Sequence, residues 1–397
     1  LLGAIVLFVV VLVVSFELLR GDDITGDKPT TLAGVELAGD ETTVFSWRRE
    51  ACSPLDIPDL PSRAFRNATG RVQLVSTSYV NRGFVGSDLT KLEHPCNVLM
   101  GSARDPDPAA YADREWLASP YTDDGQTIYS LVHNEYQGNK HPGQCASGDY
   151  LKCWYNSVTL VVSRDGGRTY KHVAAPPAHR VASLPYVYEP DSGPSGYFSP
   201  SNIVLNTDDG YYYAMLRAED FRAQPYGTCL MRTKTLADPG SWRAWGGSAF
   251  DIQFADPYTQ PNLKPRDHVC IPVSPNQIGA MVESLTFNEY FDKWLLIGSS
   301  QDTIQGRNVV GFYYSLSDDL RNWSHRKLIR EVEMNWSFKC GDPSPVGYPS
   351  VLDPGSDSRN FDTTGRTPYL FFTRFHHRNC QQNLDRDLVR VPIRFSK

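Results

Sequence analysis

An all-β chain made of consecutive antiparallel sheets is what the 397-residue sequence predicts, and three observations carry that expectation. The composition is rich in Tyr, Phe and Trp and well supplied with Gly and Pro, which suits many short strands joined by turns. A hairpin pattern recurs, with a tight-turn signal such as Asp-Asp-Gly between two apolar runs. In runs such as TIYSLV and YYYAML both alternating faces are apolar or aromatic, as they are when a sheet is packed between two neighbours. The recurrence, roughly every 65 to 85 residues, predicts a five-bladed β-propeller of four-stranded antiparallel sheets, preceded by an apolar helix.

Taken in order, the chain opens with LLGAIVLFVVVLVVSF, an apolar run without a polar face. It falls somewhat short of the roughly 20 residues of a full membrane span. No Ala-x-Ala-like cleavage site follows, so residues 1–19 are read as a signal-anchor in preference to a cleaved signal peptide. Either reading takes the rest of the chain out of the cytosol, with a membrane contact only through this segment. Residues 20–50 are polar and turn-rich and read as a linker or stalk, leaving 51–397 for the propeller. The first hairpin is SRAFRNATGRVQLVSTSY from Ser62, the second SPYTDDGQTIYSLVHNE from Ser119, and the third SPSNIVLNTDDGYYYAMLRAE from Ser199. A weaker copy starts at Glu283 (ESLTFNEYFDKWLLIGSSQD), and a fifth with a longer connection starts at Tyr348. Each is followed by a further strand and turn, for example TLVVSRDGGRTYKHV from Thr159 and DLVRVPIRF from Asp387.

A net charge of −6 with scattered Lys and Arg excludes a nucleic-acid backbone as partner, since nothing is available to neutralise phosphates. The 8 cysteines contain no CxxC pair, and an even number in an exported chain points to disulfides. Cys145 and Cys153 are close enough in sequence to pair; the other connections stay open. His141, His268, His376 and His377 lack metal-ligand spacing, so neither zinc nor another cofactor is expected. Sequons at Asn67, Asn322 and Asn335 permit glycosylation.

Ser163-Arg-Asp-Gly-Gly-Arg-Thr-Tyr170 matches the Asp-box pattern of sialidases and other carbohydrate-active proteins, and SLSDDLRNW from Ser315 looks like a related outer turn. Both are structural, because Asp and Ser side chains bind local amides while Gly supplies special dihedrals. With the repeat, they make residues 52–397 resemble the five-bladed propeller glycosidases of the arabinanase and fructosidase type. That resemblance implies three carboxylates at the mouth of the central tunnel: a base or nucleophile on the first blade, an orienting Asp on the second and an acid Glu on the third. Asp59 fits the first role. The second and third blades, read as opening at Ser119-Pro120 and Ser199-Pro200, lack the expected acids, and Arg104-Asp105-Pro106 lies too far ahead of its hairpin. A structural Ca2+ in the tunnel is compatible with such a fold.

The residues themselves supply other candidates. Counted from the Gly of each hairpin turn, His133 matches Arg217 and Glu135 matches Glu219, and residues two apart share a face of a strand. Glu283, in GAMVESLTF, is an acid that is costly to bury and a candidate for a raised pKa. Asp59, Glu135 and Glu283 are therefore the candidate catalytic residues; Arg63, Trp116, His133, Asn134, Arg217, Glu219 and Arg374 are candidate substrate contacts. Plainer readings stand beside them: ion pairs between His133 and Glu135 or Arg217 and Glu219, a backbone-amide acceptor at Glu283, a turn at Asp59, and core packing for Trp116. The expected function is hydrolysis of a glycan, furanosides favoured, by two carboxyl groups. The alternatives are a sialidase-like enzyme gripping a carboxylate with Arg63, Arg217 and Arg374, a non-catalytic glycan-binding or adhesion propeller, and an export-pathway scaffold. Oligomeric state leaves no signal.

Overall fold

Short alternating runs bounded by turns pair with their sequence neighbours, and the result is an all-β arrangement. The structure, a computed structural model, describes residues 34–341 and 344–397. The apolar segment 1–19 lies outside the described residues. Among the described residues no helix is long and apolar enough to cross a membrane.

The first antiparallel sheet runs Arg63–Arg66, Val72–Val75, Gly83–Gly86, Leu92–Glu93. The second contains Arg114–Tyr121, Ile128–Gln137 and Trp154–Ser163, edged by Lys171–His172 and Arg180–Ala182. In the third, Ser195–Phe198 and Val204–Asn206 both pair with Tyr211–Ala218, followed by Gly227–Thr233 and Arg243–Ala244. A short parallel pairing of Tyr155 with Ser195 and Asn156 with Gly196 joins the second sheet to the third. The fourth is Ser284–Asn288, Lys293–Ile304, Arg307–Ser317, Lys327–Glu331, and the fifth has Val346–Leu352, Tyr369–Phe375 and Arg386–Phe395.

The outer edge of the fifth sheet comes from the other end of the chain. Val35–Leu37 and Thr42–Phe45 pair with Arg386–Phe395, with Val35 opposite Phe395. Strand pairing therefore begins inside the 20–50 span read from sequence as a linker. Strands of three and four residues in a polar context gave no alternation signal, and their partner lies at the far end of the sequence.

Both faces of the sheets are buried, which explains the doubly apolar strands. Leu117, Val132 and Val161 of the second sheet pack on Phe65 and Val75 of the first. Leu131 and Leu160 meet Leu216 and Met231 of the third, whose Met215 and Leu230 meet Leu285 and Leu296 of the fourth. Ile297 and Phe312 then meet Leu370 and Val391 of the fifth. A last core joins Phe371 and Leu388 of the fifth sheet to Ala64, Leu74 and Phe84 of the first.

The Ser163–Tyr170 octapeptide folds around the Asp165 carboxylate, which accepts from the amides of Arg168 and Thr169 at 3.0 Å each and from Thr169 Oγ1 at 2.7 Å. Gly166 and Gly167 take φ of 73° and 86°, in the left-handed region open to glycine. Asp319 repeats the device, accepting from the Arg321 and Asn322 amides at 3.0 and 2.8 Å. The 8 cysteines form four disulfides, Cys52–Cys96, Cys145–Cys153, Cys229–Cys270 and Cys340–Cys380. Such bonds persist in oxidising compartments, which points to an extracytoplasmic protein.

Candidate active site

Antiparallel pairing sets which end of each hairpin faces which neighbour. In the second sheet, Trp116 stands opposite His133 and Arg114 opposite Glu135, so the start of the innermost strand and the end of the next lie together. That innermost strand begins at Arg114, upstream of the Ser119-Pro120 read as its opening. At this end Trp116 turns toward Asp59 and Glu115 to the opposite face, toward His172, while Pro120 lines a small interior cavity with Ser62, Arg63, Asn202, Ser284 and Asn360.

Asp59 sits just before the first strand of the first sheet. Trp116 Nε1 donates to its Oδ2 at 3.2 Å and the Tyr348 hydroxyl to its Oδ1 at 3.2 Å. Arg386 forms an ion pair with the same carboxylate. Burial acts to lower the Arg386 guanidinium, but Asp59 and Tyr348 outweigh it and hold the pKa above its ordinary value. Tyr348 occupies φ 56° where the innermost strand of the fifth sheet breaks register between Gly347 and Ser350. Non-glycine residues are uncommon in that region, and such conformations gather at functional sites.

Glu135 has only 9% of its side chain exposed. Its carboxylate meets His133 Nε2 at 3.1 Å, Gln137 Nε2 at 2.7 Å and the Tyr150 hydroxyl at 3.2 Å. The amide of Ser199 donates to His133 Nδ1 at 3.2 Å, so the imidazole proton sits on Nε2 and is donated to Glu135. His133, Glu135 and Gln137 occupy every second position of one strand and share a face. Tyr150 is carried by the Cys145–Cys153 loop and stacks on Trp154 with ring centroids 4.9 Å apart. Trp154 in turn meets Phe198 edge-on at 4.9 Å.

Trp116 links the two carboxylates, donating to Asp59 while its ring centroid lies 5.7 Å from that of His133, which bonds Glu135. Burial first, then Glu135, pushes the Tyr150 hydroxyl far up, and Asp59 and Tyr348 add to the effect. Tyr348 is raised by burial and Asp59, with Glu135 contributing as well. Asp59, Trp116, His133 and Glu135 are therefore brought together. Arg217 lies at the rim, 6.0 Å from the Phe198 ring and 5.8 Å from that of Tyr226, and pairs with Glu219 at 2.5 Å.

Four other candidates are engaged elsewhere. Asn134 is buried, donating to Ser157 Oγ at 2.9 Å and accepting the Asp113 amide at 3.0 Å, because one step along a strand turns it to the opposite face from Glu135. Arg374 pairs with Glu41, which also holds Arg330. Glu283 accepts the amides of Val282 at 3.0 Å and Ser299 at 2.8 Å, in the manner of a backbone acceptor. Arg63 is buried and donates to the carbonyls of Ser62 and Glu283. Burial pulls its guanidinium down to about 9, with the Glu283 carboxylate acting the other way. Arg63, Arg217 and Arg374 thus each serve a separate partner.

Tyr150, Tyr348, Arg386 and Gln137 were not read from the sequence. Gln137 could have been, since it continues the alternation of His133 and Glu135. The others reach the cluster only through a disulfide loop or through the meeting of the last sheet with the first.

No family model and no curated protein matches the chain. Among solved structures it is similar to "RS223-Beta-xylosidase", at 12% identity and a TM-score of 0.45 over 90% of this chain and 95% of that one. An α-L-arabinanase of Cellvibrio cellulosa complexed with arabinohexaose gives 12% and 0.44, over 84% and 90% of the two chains. A GH32 β-fructofuranosidase of Bombyx mori gives 11% and 0.46, over 84% of this chain and 60% of that one.

Proposed function

We propose that the chain is a glycoside hydrolase built as a five-bladed β-propeller, acting on a furanose-containing glycan where Asp59 and Glu135 meet. The observation that carries this reading is the contact chain joining two carboxylates: Trp116 donates to Asp59, and its ring lies 5.7 Å from that of His133, which bonds Glu135. The succession of cores, ending in contact between the fifth sheet and the first, supports the propeller.

The contacts suggest different roles. Asp59, held by its ion pair with Arg386, serves as base or nucleophile. Glu135 serves as the acid. The Tyr150 hydroxyl can donate to the ionised carboxylate or accept from the protonated one, so a proton can come and go without movement of heavy atoms. That proton goes to the glycosidic oxygen as the bond to the anomeric carbon breaks. The half-buried Trp154 and the exposed Tyr226 offer sugar-stacking faces, and Arg217 a hydrogen-bond fork at the rim. Glu283 buttresses Arg63 from beside the site. The interior cavity does not suit the Ca2+ compatible with such folds, because the Arg63 guanidinium already places a cation there.

Hydrolysis of an arabinan, fructan, galactan and sialoside panel by the full chain tests the reading, with Asp59→Asn and Glu135→Gln alongside. Loss of acid or base function costs about 10²–10⁴-fold in kcat. No turnover on any substrate, with glycan binding kept by all three proteins, would make this a binding propeller.

A further inference from the structure

A second cluster of ionisable side chains lies on the second sheet, apart from the Asp59–Glu135 group. Glu115 is 1% exposed at the start of the innermost strand, His172 sits on the edge strand Lys171–His172, and His179 is 0% exposed just before Arg180–Ala182. Each offers a ligand atom, and these atoms all lie within 4.8 Å of one another. His172 Nε2 is 2.6 Å from Glu115 Oε1, and the two imidazole centroids are 4.0 Å apart.

The decisive detail is the hydrogen bonding of His179. Its Nε2 is 3.2 Å from the carbonyl oxygen of Tyr111. A carbonyl can only accept, so Nε2 carries the proton and Nδ1 is left with its lone pair. Nδ1 is buried and has no hydrogen-bond partner. An unmet polar atom in such a place is costly to keep. An imidazole whose second nitrogen donates to a backbone carbonyl, with its first bare, has the outer-shell arrangement of a metal ligand.

We infer that Glu115, His172 and His179 form a binding site for a divalent transition metal, zinc by preference, separate from the carbohydrate site. Two imidazoles and one carboxylate are a recurrent zinc set, and ligands about 2.0–2.2 Å from the ion need only modest adjustment from the present spacing. The ion takes the place of the proton shared by His172 and Glu115 and satisfies His179 Nδ1. His172, with 22% of its side chain exposed, leaves an approach for the ion and for a water in the fourth position.

Three other groupings compete and fall away. Cys52 with Asp56 and His94, and Cys145 and Cys153 with Asp191, have their sulfurs in disulfides. Asp385, in the group with His376 and Asp387, already pairs with Arg48 and Arg378, which repel a cation. The sequence search missed the site because His172 and His179 stand on opposite sides of a turn, and Glu115 belongs to another strand.

The test uses the full chain stripped with a chelator and then titrated with Zn2+ by calorimetry and with Co2+ by visible absorption. One ion per chain and d–d bands of a nitrogen–oxygen site are expected. His172→Ala and His179→Gln should each weaken binding by more than the roughly 10–100-fold lost with an outer-shell partner, whereas His376→Ala should leave it unchanged. His172→Ala keeps the test sound should the His179 variant fail to fold. Zn2+ should also raise the melting temperature of the parent and of His376→Ala, but not of His172→Ala. Sub-stoichiometric binding, or binding that survives both His172→Ala and His179→Gln, overturns the assignment.

Discussion

Replacing Arg386 by Met removes the cation that holds Asp59 while keeping much of the side chain's apolar stem. Arg386 and Asp59 have 8% and 18% of their side chains exposed. Breaking a buried ion pair by deleting one partner costs about 3–5 kcal/mol. Asp59 keeps two neutral donors, Trp116 and Tyr348, and some water, so the lower end applies. The guanidinium also lies 4.9 Å from the Phe375 ring, worth about 0.5–1 kcal/mol. The expected loss is about 3.5–4 kcal/mol, read from urea unfolding at pH 7. Asp59→Asn combined with Arg386→Met should recover part of it, giving a coupling of about 1–3 kcal/mol in a double-mutant cycle. Turnover should fall in the single variant, because Asp59 is held only by Trp116 and Tyr348. A cost below about 1 kcal/mol with strictly additive single effects would show that the pair is not coupled, and Asp59 would then be no preorganised base.

Three further outcomes are expected. Cys145→Ser with Cys153→Ser opens a loop of sequence separation 8 and should cost about 2–3 kcal/mol; since the loop carries Tyr150, kcat should fall more than binding of a non-hydrolysed glycan, and an equal fall would detach Tyr150 from the chemistry. Glu41 is held below its ordinary pKa because Arg374 and Arg330 outweigh the opposing, larger single effect of burial; a depressed carboxyl contributes stability above its unfolded pKa and loses it as pH falls through the folded value, so Glu41→Gln should cost roughly 0.5–1 kcal/mol at pH 7 and progressively less as acid titrates the carboxylate, and a cost independent of pH would assign the effect to packing. A Cβ on Gly167 would stand 2.5 Å from Gln73 Oε1 and 2.6 Å from Phe65 Cζ at φ 86°, so Gly167→Ala should destabilise by about 2–3 kcal/mol in thermal unfolding, and a neutral change would mean that the turn is not pressed against the first sheet.

The parts of the fold legible in the sequence were those made locally. TIYSLV and YYYAML announce hairpins because their alternation and turn residues lie within a few positions. The same parity rule placed His133 beside Glu135 and turned Asn134 away once strand direction was applied. What stayed hidden depends on contacts between distant segments. Tyr348 and Arg386 reach Asp59 because the fifth sheet packs on the first, and nothing in YPSVL or DRDLV encodes that meeting. Arg374 looked like a ligand for sugars, but Glu41, in a segment read as a stalk, claims it. Glu283 looked costly to bury because its amide partners, Val282 and Ser299, are visible only after the hairpin closes.

The pairing of Val35 with Phe395 gives the molecule a kinetic character as well as a shape. Gly34 donates its amide to Ser396 Oγ at 3.1 Å across a separation of 362 residues. As the chain emerges from a ribosome or a translocation pore, the first four sheets can assemble from neighbouring segments, but the fifth has no outer edge until its own last strand arrives and finds residues made long before. The early strands Val35–Leu37 and Thr42–Phe45 must wait unpaired while residues 46–385 are made. Contacts of such high sequence separation are slow to form, and exposed strand edges invite pairing with other chains. Refolding should therefore end in a late step, sensitive to protein concentration, in which these strands clasp Arg386–Phe395.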